Sequence, residues 1–334
     1  MVERILVVGF GSIGRLHLQI LRKLLPRADI RVLRHRPTNE IYEHSNGTFS
    51  DLNEAMSFAP QVAVIANPAT FHMSIATQLA EIGTHLLIEK PLAASLSGVE
   101  NLIDISKKKN IIVMAGYNLR FLPSLQSYRN FLSDGIIGSV LSVRCDVGQY
   151  LPTWRQGGDY RKEVSAKRAL GGGVLLELTH ELDYLRWIFG EIDWVKATLS
   201  RQSDLEIDVE DTAHLVLGFS SKKNERQLVG MLNMDFIRHD PTRLCLAIGE
   251  KGTLRWNGIT GAIDLFKLNS NGWEEVDFIK SDREDSYFGE WRHFLECIAN
   301  FQQPMVTAED GLRILRIVDA SIKSDLKDGN RINV

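Results

Sequence analysis

Over residues 1–120, short apolar runs alternate with amphipathic stretches. The runs at 5–8 (ILVV), 30–33 (IRVL), 62–66 (VAVIA), 85–88 (HLLI) and 111–114 (IIVM) can be buried on both faces of a sheet. Helices fit between them at about 14–25, 70–82 and 95–109. This alternation predicts a parallel sheet with helices on both faces. After residue 120 the pattern changes. A helix is expected at about 122–134, followed by an alternating strand-like segment at 139–149. Further strands are expected at 192–201, 212–219, 227–237, 243–249, 252–256 and 262–268. Short turns such as Ser221-Lys222-Lys223-Asn224 join many of them, which implies antiparallel pairing. Helices at about 286–302 and 307–327 close the chain. The expected fold class is α/β: a Rossmann-type domain over 1–120, then an α+β domain over 121–334 with a large, mostly antiparallel open sheet.

Residues 174–189 read as one helix. Leu178, Leu182, Leu185 and Phe189 make a buried stripe, and Glu177, His180, Glu181 and Tyr184 fall on the opposite side. Glu177 and His180 are one turn apart and can touch. A histidine beside a carboxylate is suited to general-base work near neutral pH, so both are catalytic candidates. Gly171-Gly172-Gly173 ahead of them allows a close approach. The Glu-x-x-His spacing recurs at Glu290 and His293, a pattern that holds di-iron centres in four-helix bundles. The strand-rich second half argues against such a bundle, and no metal is expected.

The length of 334 residues allows two domains with full cores. Hydrophobic residues at 44% and charged residues at 24% are ordinary for a globular protein, and a net charge of −3 gives no sign of a nucleic-acid partner. Cys145, Cys245 and Cys297 lie far apart and are expected as free thiols in a reducing compartment. The chain opens directly into a strand without a signal-peptide pattern, and no apolar run approaches the ~20 residues that span a bilayer. A cytoplasmic protein with no membrane partner is the expectation.

Chemistry enters between the first strand and first helix, where Gly9, Gly11 and Gly14 stand at G-x-G-x-x-G spacing within Gly9-Phe10-Gly11-Ser12-Ile13-Gly14. The first glycine allows a tight turn, the second lets backbone approach a pyrophosphate, and the third lets helix lie on strand. The helix start offers free N–H groups to phosphate. Where dinucleotide folds that take NAD place an acidic residue on the adenosine ribose, this chain has Arg34, then His35 and Arg36. A guanidinium pairs with a 2′-phosphate, so NADP is expected over NAD. Glu89-Lys90-Pro91 follows the fourth strand at the sheet's carboxyl end, where Lys90 can stabilise a developing alkoxide. The loop at 151–170 carries Arg155, Arg161, Lys162, Lys167 and Arg168 against Asp159 and Glu163, with Trp154 and Tyr160 among them. It reads as a substrate loop for an anionic sugar, the aromatics stacking on a ring.

Together these motifs resemble the Gfo/Idh/MocA family of oxidoreductases over nearly the whole chain. The resemblance rests on GFGSIGRLH, Asn67-Pro68 with His72, Glu89-Lys90-Pro91, GYNLRF from Gly116 to Phe121, GGGVLLELTHELDYLRW, and TAEDGLRILRIVDASIKS near the end. It implies reversible hydride transfer between NAD(P) and a hydroxyl carbon of a sugar, nucleotide sugar or polyol. It also implies a C-terminal sheet whose outer face makes subunit contacts, hence a homodimer or homotetramer. By position Lys90 matches the family's catalytic lysine and His180 its catalytic histidine, with Asp183 keeping the H-x-x-D spacing. The family's aspartate four residues before that histidine is Leu176 here, and Glu177 is the nearest substitute. Asn67, Pro68, His72, Glu89, Lys90 and Asn118 are expected at the cofactor. Lys90, Asn118, Trp154, Tyr160, Arg161 and His180 are expected at the substrate. Two other uses of the same fold stay open: an NADP-binding sensor without catalysis, and a redox-neutral sugar reaction.

Overall fold

The computed structural model describes residues 2–35, 41–154, 158–221 and 226–334. The chain forms two compact units, residues 1–118 with 283–315 and residues 119–282 with 316–334. The chain passes from the first unit to the second at residues 118–119, and residues 283–315 group with the first unit.

In the first unit the strands β1 (Arg4–Val8), β2 (Asp29–Leu33), β3 (Gly47–Phe49), β4 (Val62–Ile65), β5 (His85–Glu89) and β6 (Val113–Gly116) are all parallel, in the order β3-β2-β1-β4-β5-β6. Ile5, Leu6, Val7, Val62, Val64, Ile65 and Leu87 are wholly shielded from solvent, as runs apolar on both faces require. The helices α1 (Ser12–Leu24), α2 (Leu52–Ser57), α3 (His72–Glu81) and α4 (Val99–Lys109) connect them. The order reverses direction between β1 and β4, the switch point beyond which ligands bind in open parallel sheets. The edge strand β3 and the short α2, capped by the Asp51 side chain on the N–H groups of Asn53 and Glu54, were not expected from the pattern.

The second unit begins with α5 (Pro123–Ser133) and β7 (Val140–Gly148). It continues through α6 (Val174–Glu177), α7 (Thr179–Phe189), β8 (Ile192–Ser200), β9 (Thr212–Phe219), β10 (Val229–Asp235), β11 (Thr242–Gly249), β12 (Gly252–Asn257), β13 (Ala262–Lys267) and β14 (Glu274–Phe278). After α8 (Arg283–Asn300) and α9 (Ala308–Asp325), β15 (Ile332–Asn333) adds to its edge. The sheet order is β14-β13-β12-β11-β7-β10-β9-β8-β15, antiparallel except for the β7–β10 pair. On the buried face Cys145 of β7 stands directly opposite Cys245 of β11. The Tyr184 hydroxyl of α7 lies 2.9 Å from Cys145 Sγ, and the Tyr128 hydroxyl of α5 donates to Cys245 Sγ at 3.6 Å. All three cysteines are free and buried.

The segment expected as one helix over 174–189 is two. Leu178 leaves helical geometry (φ −103°, ψ 29°), so α6 ends at Glu177 and α7 starts at Thr179. The side opposite the leucine stripe is not an open polar face either. Glu181 and Tyr184 are wholly buried, and the Glu181 carboxylate accepts from Arg243 Nε of β11 at 2.7 Å. Two residues after Glu181, Asp183 takes a two-pronged bond from Arg120, at 2.9 Å from Nε and 2.6 Å from Nη2, both side chains almost fully enclosed. Removing one member of such a pair strands a buried charge and costs about 3–5 kcal/mol. Arg120→Met is therefore expected to lower the urea midpoint sharply, and Arg120→Met with Asp183→Leu to recover much of it. An unchanged midpoint for the single variant would show the pair to be dispensable.

Candidate functional site

Each glycine of the β1–α1 turn has a distinct surrounding. Gly9 has φ +90°, and a side chain there would begin 2.7 Å from the Asn67 backbone nitrogen. At Gly14 a Cβ would lie 2.2 Å from the Gly9 carbonyl oxygen, so the helix rests directly on the loop. A Cβ at Gly11 would meet nothing within 4 Å. That open side faces the start of α1, whose N-cap is Gly11 with no side-chain cap and no acidic residue in the first turn. The free N–H groups and the positive helix end suit a pyrophosphate, and the lack of a side chain leaves room for it. At the carboxyl end of β4, Asn67 Oδ1 is buried with no hydrogen-bond partner among the described residues, an acceptor that a ribose or amide donor would satisfy.

His72 braces this corner rather than facing outward. Its Nε2 lies 2.7 Å from the Asn67 carbonyl and its Nδ1 3.3 Å from that of Leu92. Burial holds its pKa down and the ring neutral. Asn118 is likewise enclosed and donates to Ser286 Oγ at 2.8 Å.

Beyond β2, Arg34 Nη1 donates to the Tyr42 hydroxyl. Tyr42 stacks on Phe10 with ring centroids 4.0 Å apart, and Arg15 lies over the Phe10 ring at 4.4 Å. Among the described residues neither Arg15 nor Arg34 is paired with a carboxylate. Sequence reasoning missed Arg15, although its place directly after the third glycine was a usable signal. His35 is exposed, and Arg36 lies outside the described residues.

Lys90 is half-buried at the end of β5, and its bond to Pro91 is cis. Glu89, expected at the cofactor, turns its carboxylate inward. Oε1 lies 2.8 Å from His17 Nε2, and Oε2 accepts the Lys90 backbone N–H at 3.1 Å. Glu290 of α8 is fully buried, with neither carboxyl oxygen hydrogen-bonded among the described residues. Its burial, reinforced by the charge of Glu89, pushes its pKa well up.

In the second unit His180 is half-buried at the second position of α7. Glu177 closes α6, and its Oε1 accepts from Ser165 Oγ at 3.0 Å. The break at Leu178 removes the continuous helix from which their contact was expected. Trp154 and Tyr160 do come together, lining with Leu151, Pro152, Gly158, Glu163 and Ser165 a cavity of about 10 Å³, room for one water. Arg161 does not add a free charge: its guanidinium holds Asp159 at 2.7 Å and Glu206 at 3.3 Å. The Asp159 carboxyl is correspondingly held below its usual range by that hydrogen bond. Arg155 lies outside the described residues.

Residues 3–117 match the family model described as "Oxidoreductase family, NAD-binding Rossmann fold", and residues 129–334 match "Oxidoreductase family, C-terminal alpha/beta domain". The chain is 27% identical to myo-inositol 2-dehydrogenase of Thermotoga maritima over 340 aligned positions, covering 96% of each. Its fold is similar to that of a levoglucosan dehydrogenase solved with NADH (TM-score 0.86, 22% identity, 99% of each chain). It is also similar to that of the WlbA dehydrogenase of Bordetella pertussis solved with NADH and UDP-GlcNAcA (TM-score 0.80, 21% identity, 100% and 99%).

A carboxyl whose pKa is higher folded than unfolded binds more protons in the native state, so stability falls as pH rises above the ordinary value of 4.5. Glu290→Gln removes that dependence. Denaturation from pH 4 to 8 is expected to show the difference between the two proteins moving steadily in favour of the glutamine variant. A difference that stays constant would mean that Glu290 ionises normally.

Proposed function

The chain belongs to the Gfo/Idh/MocA oxidoreductase family, and on that premise we propose that it is an NADP-preferring dehydrogenase of a sugar or polyol hydroxyl. The observation that carries the cofactor assignment is the uncapped start of α1 over the open side of Gly11, beside the unsatisfied Asn67 Oδ1. Gly9, Phe10, Gly11, Ser12, Ile13 and Gly14 would hold the phosphates. Arg34 and Arg15, flanking the Phe10–Tyr42 stack without a carboxylate partner among the described residues, support a 2′-phosphate. The two related structures named above carry NADH, so the preference proposed for NADP rests on Arg34 and Arg15 of this chain.

When bound, the nicotinamide supplies the hydride acceptor. Oxidation of a carbinol then asks two things of the protein. The hydroxyl proton goes to a base as the C–H bond breaks with its electron pair, and the negative charge growing on oxygen needs a cation. His180 is assigned the first task and Lys90 the second. Glu177, whose carboxylate accepts from Ser165, stands three residues before His180 and is assigned to support it. The names of the relatives support a sugar or polyol. The pairing of Arg161 with Asp159 and Glu206 favours an uncharged one over the anionic sugar that the loop's composition suggested.

His180→Ala is expected to lower kcat by about 10²–10⁴-fold while leaving the Kd for NADPH nearly unchanged, as loss of a general base does. Near-normal turnover would refute the assignment. Arg34→Asp is expected to weaken NADPH binding about ten- to a hundredfold, the worth of a charge-assisted hydrogen bond, and to leave NADH binding equal or tighter. Unchanged relative affinities, read by fluorescence titration, would remove the NADP preference.

A further inference from the structure

We propose that Trp291, His17 and Glu89 form a buried hydrogen-bonded clamp that positions Lys90, with His17 as its central positioning residue; the inference rests on the role assigned to Lys90 above. An indole N–H only donates, and that of Trp291 points at His17 Nδ1 at 2.8 Å. Nδ1 is therefore the bare nitrogen, and the single ring proton sits on Nε2, 2.8 Å from Glu89 Oε1. The other Glu89 oxygen takes the Lys90 backbone N–H. The tautomer is set by Trp291, and the charge in the chain is that of Glu89. A proton added at Nδ1 would cost the Trp291 bond.

The surroundings enforce this arrangement. His17 and Trp291 are wholly buried and Glu89 is 7% exposed. The Tyr287 ring meets His17 edge-on at 5.6 Å. Glu290, next to Trp291, has its carboxyl pKa pushed well up by burial and by the charge of Glu89. On the neighbouring strand Gly116 leaves room for the acid, since a Cβ there would stand 3.0 Å from Glu89 Cα and 3.4 Å from its Cδ. His17 lies one turn beyond Gly14 on α1. The helix whose start faces the phosphate site thus also fixes the turn that carries Lys90. Both ring nitrogens are used, in different directions. A glutamine can reproduce an acceptor and a donor there, whereas phenylalanine can reproduce neither and leaves Glu89 buried without its partner.

The test compares His17→Phe and His17→Gln in the full-length protein, with Trp291→Phe as a milder variant should His17→Phe not fold. Three quantities are read: the Kd for NADPH, kcat against KM, and the N-methyl NMR signal of Lys90 after reductive methylation. The clamp predicts that His17→Phe lowers kcat about tenfold or more, as misplaced catalytic groups do, with the NADPH Kd within about threefold and the Lys90 signal shifted. His17→Gln should restore both kcat and the signal toward the wild type. Trp291→Phe should fall between them. A histidine that only fills the core would lower thermal stability in His17→Phe and leave kcat and the Lys90 signal where they were, which would overturn the proposal. Should the wild type turn over no sugar or polyol, the dehydrogenase reading fails by itself. The Lys90 signal then decides the clamp: a shift in His17→Phe reversed in His17→Gln sustains it, and no shift refutes it.

Discussion

The contact between Gly14 and the Gly9 carbonyl leaves no room for a side chain, and much of the first unit follows from it. It seats α1 directly on the end of β1. With the helix so placed, the N–H groups of its first turn remain uncapped beside the open side of Gly11. A turn later His17 is driven into the interior, where it meets Glu89 from β5 and Trp291 from α8. Segments far apart in sequence thus converge on one imidazole. A single close backbone contact couples the anion-binding end of the helix to the turn that carries Lys90.

The second unit fixes its key helix by different means. α7 carries buried carboxylates at Glu181 and Asp183, each met by an arginine, from β11 and from the segment ahead of α5. Buried ion pairs contribute little net stability once desolvation is counted, but losing one partner is expensive. The two pairs tie α7, which also carries His180, to β11 and to the segment ahead of α5. Of the polar groups that read as one face from the sequence, Glu181 and Tyr184 are buried and bonded to the sheet, whereas Glu177 and His180 are half-buried.

The framework of both units was legible because it is written in local periodicity. The runs at 5–8, 62–66 and 85–88 are strands buried on both faces, and the alternating runs from 139 onward form the mostly antiparallel sheet. The glycine loop was legible because its spacing has a mechanical meaning. The helix break at Leu178 was not, since Leu178 is itself a member of the apolar stripe and periodicity does not register one residue leaving helical geometry. β3 and β14 were missed as short edge strands with few fully buried positions. The roles of His17, Glu290 and Trp291 were invisible because they depend on α8 packing on α1, a contact across most of the chain. The pairing of Arg161 was not legible for a similar reason: one of the carboxylates meeting it, Glu206, lies forty-five positions away.

Oxidation of a carbinol by a nicotinamide cofactor leaves reduced nicotinamide, which is read directly. The most direct measurement incubates the purified protein with NADP or NAD and a panel of free sugars, polyols, acid sugars and nucleotide sugars, following the near-ultraviolet absorbance of reduced nicotinamide. A rise is expected with an uncharged sugar or polyol, faster with NADP than with NAD. A flat trace across the whole panel, from protein shown to bind NADPH, would contradict it and leave a cofactor-binding protein whose chemistry is not net dehydrogenation.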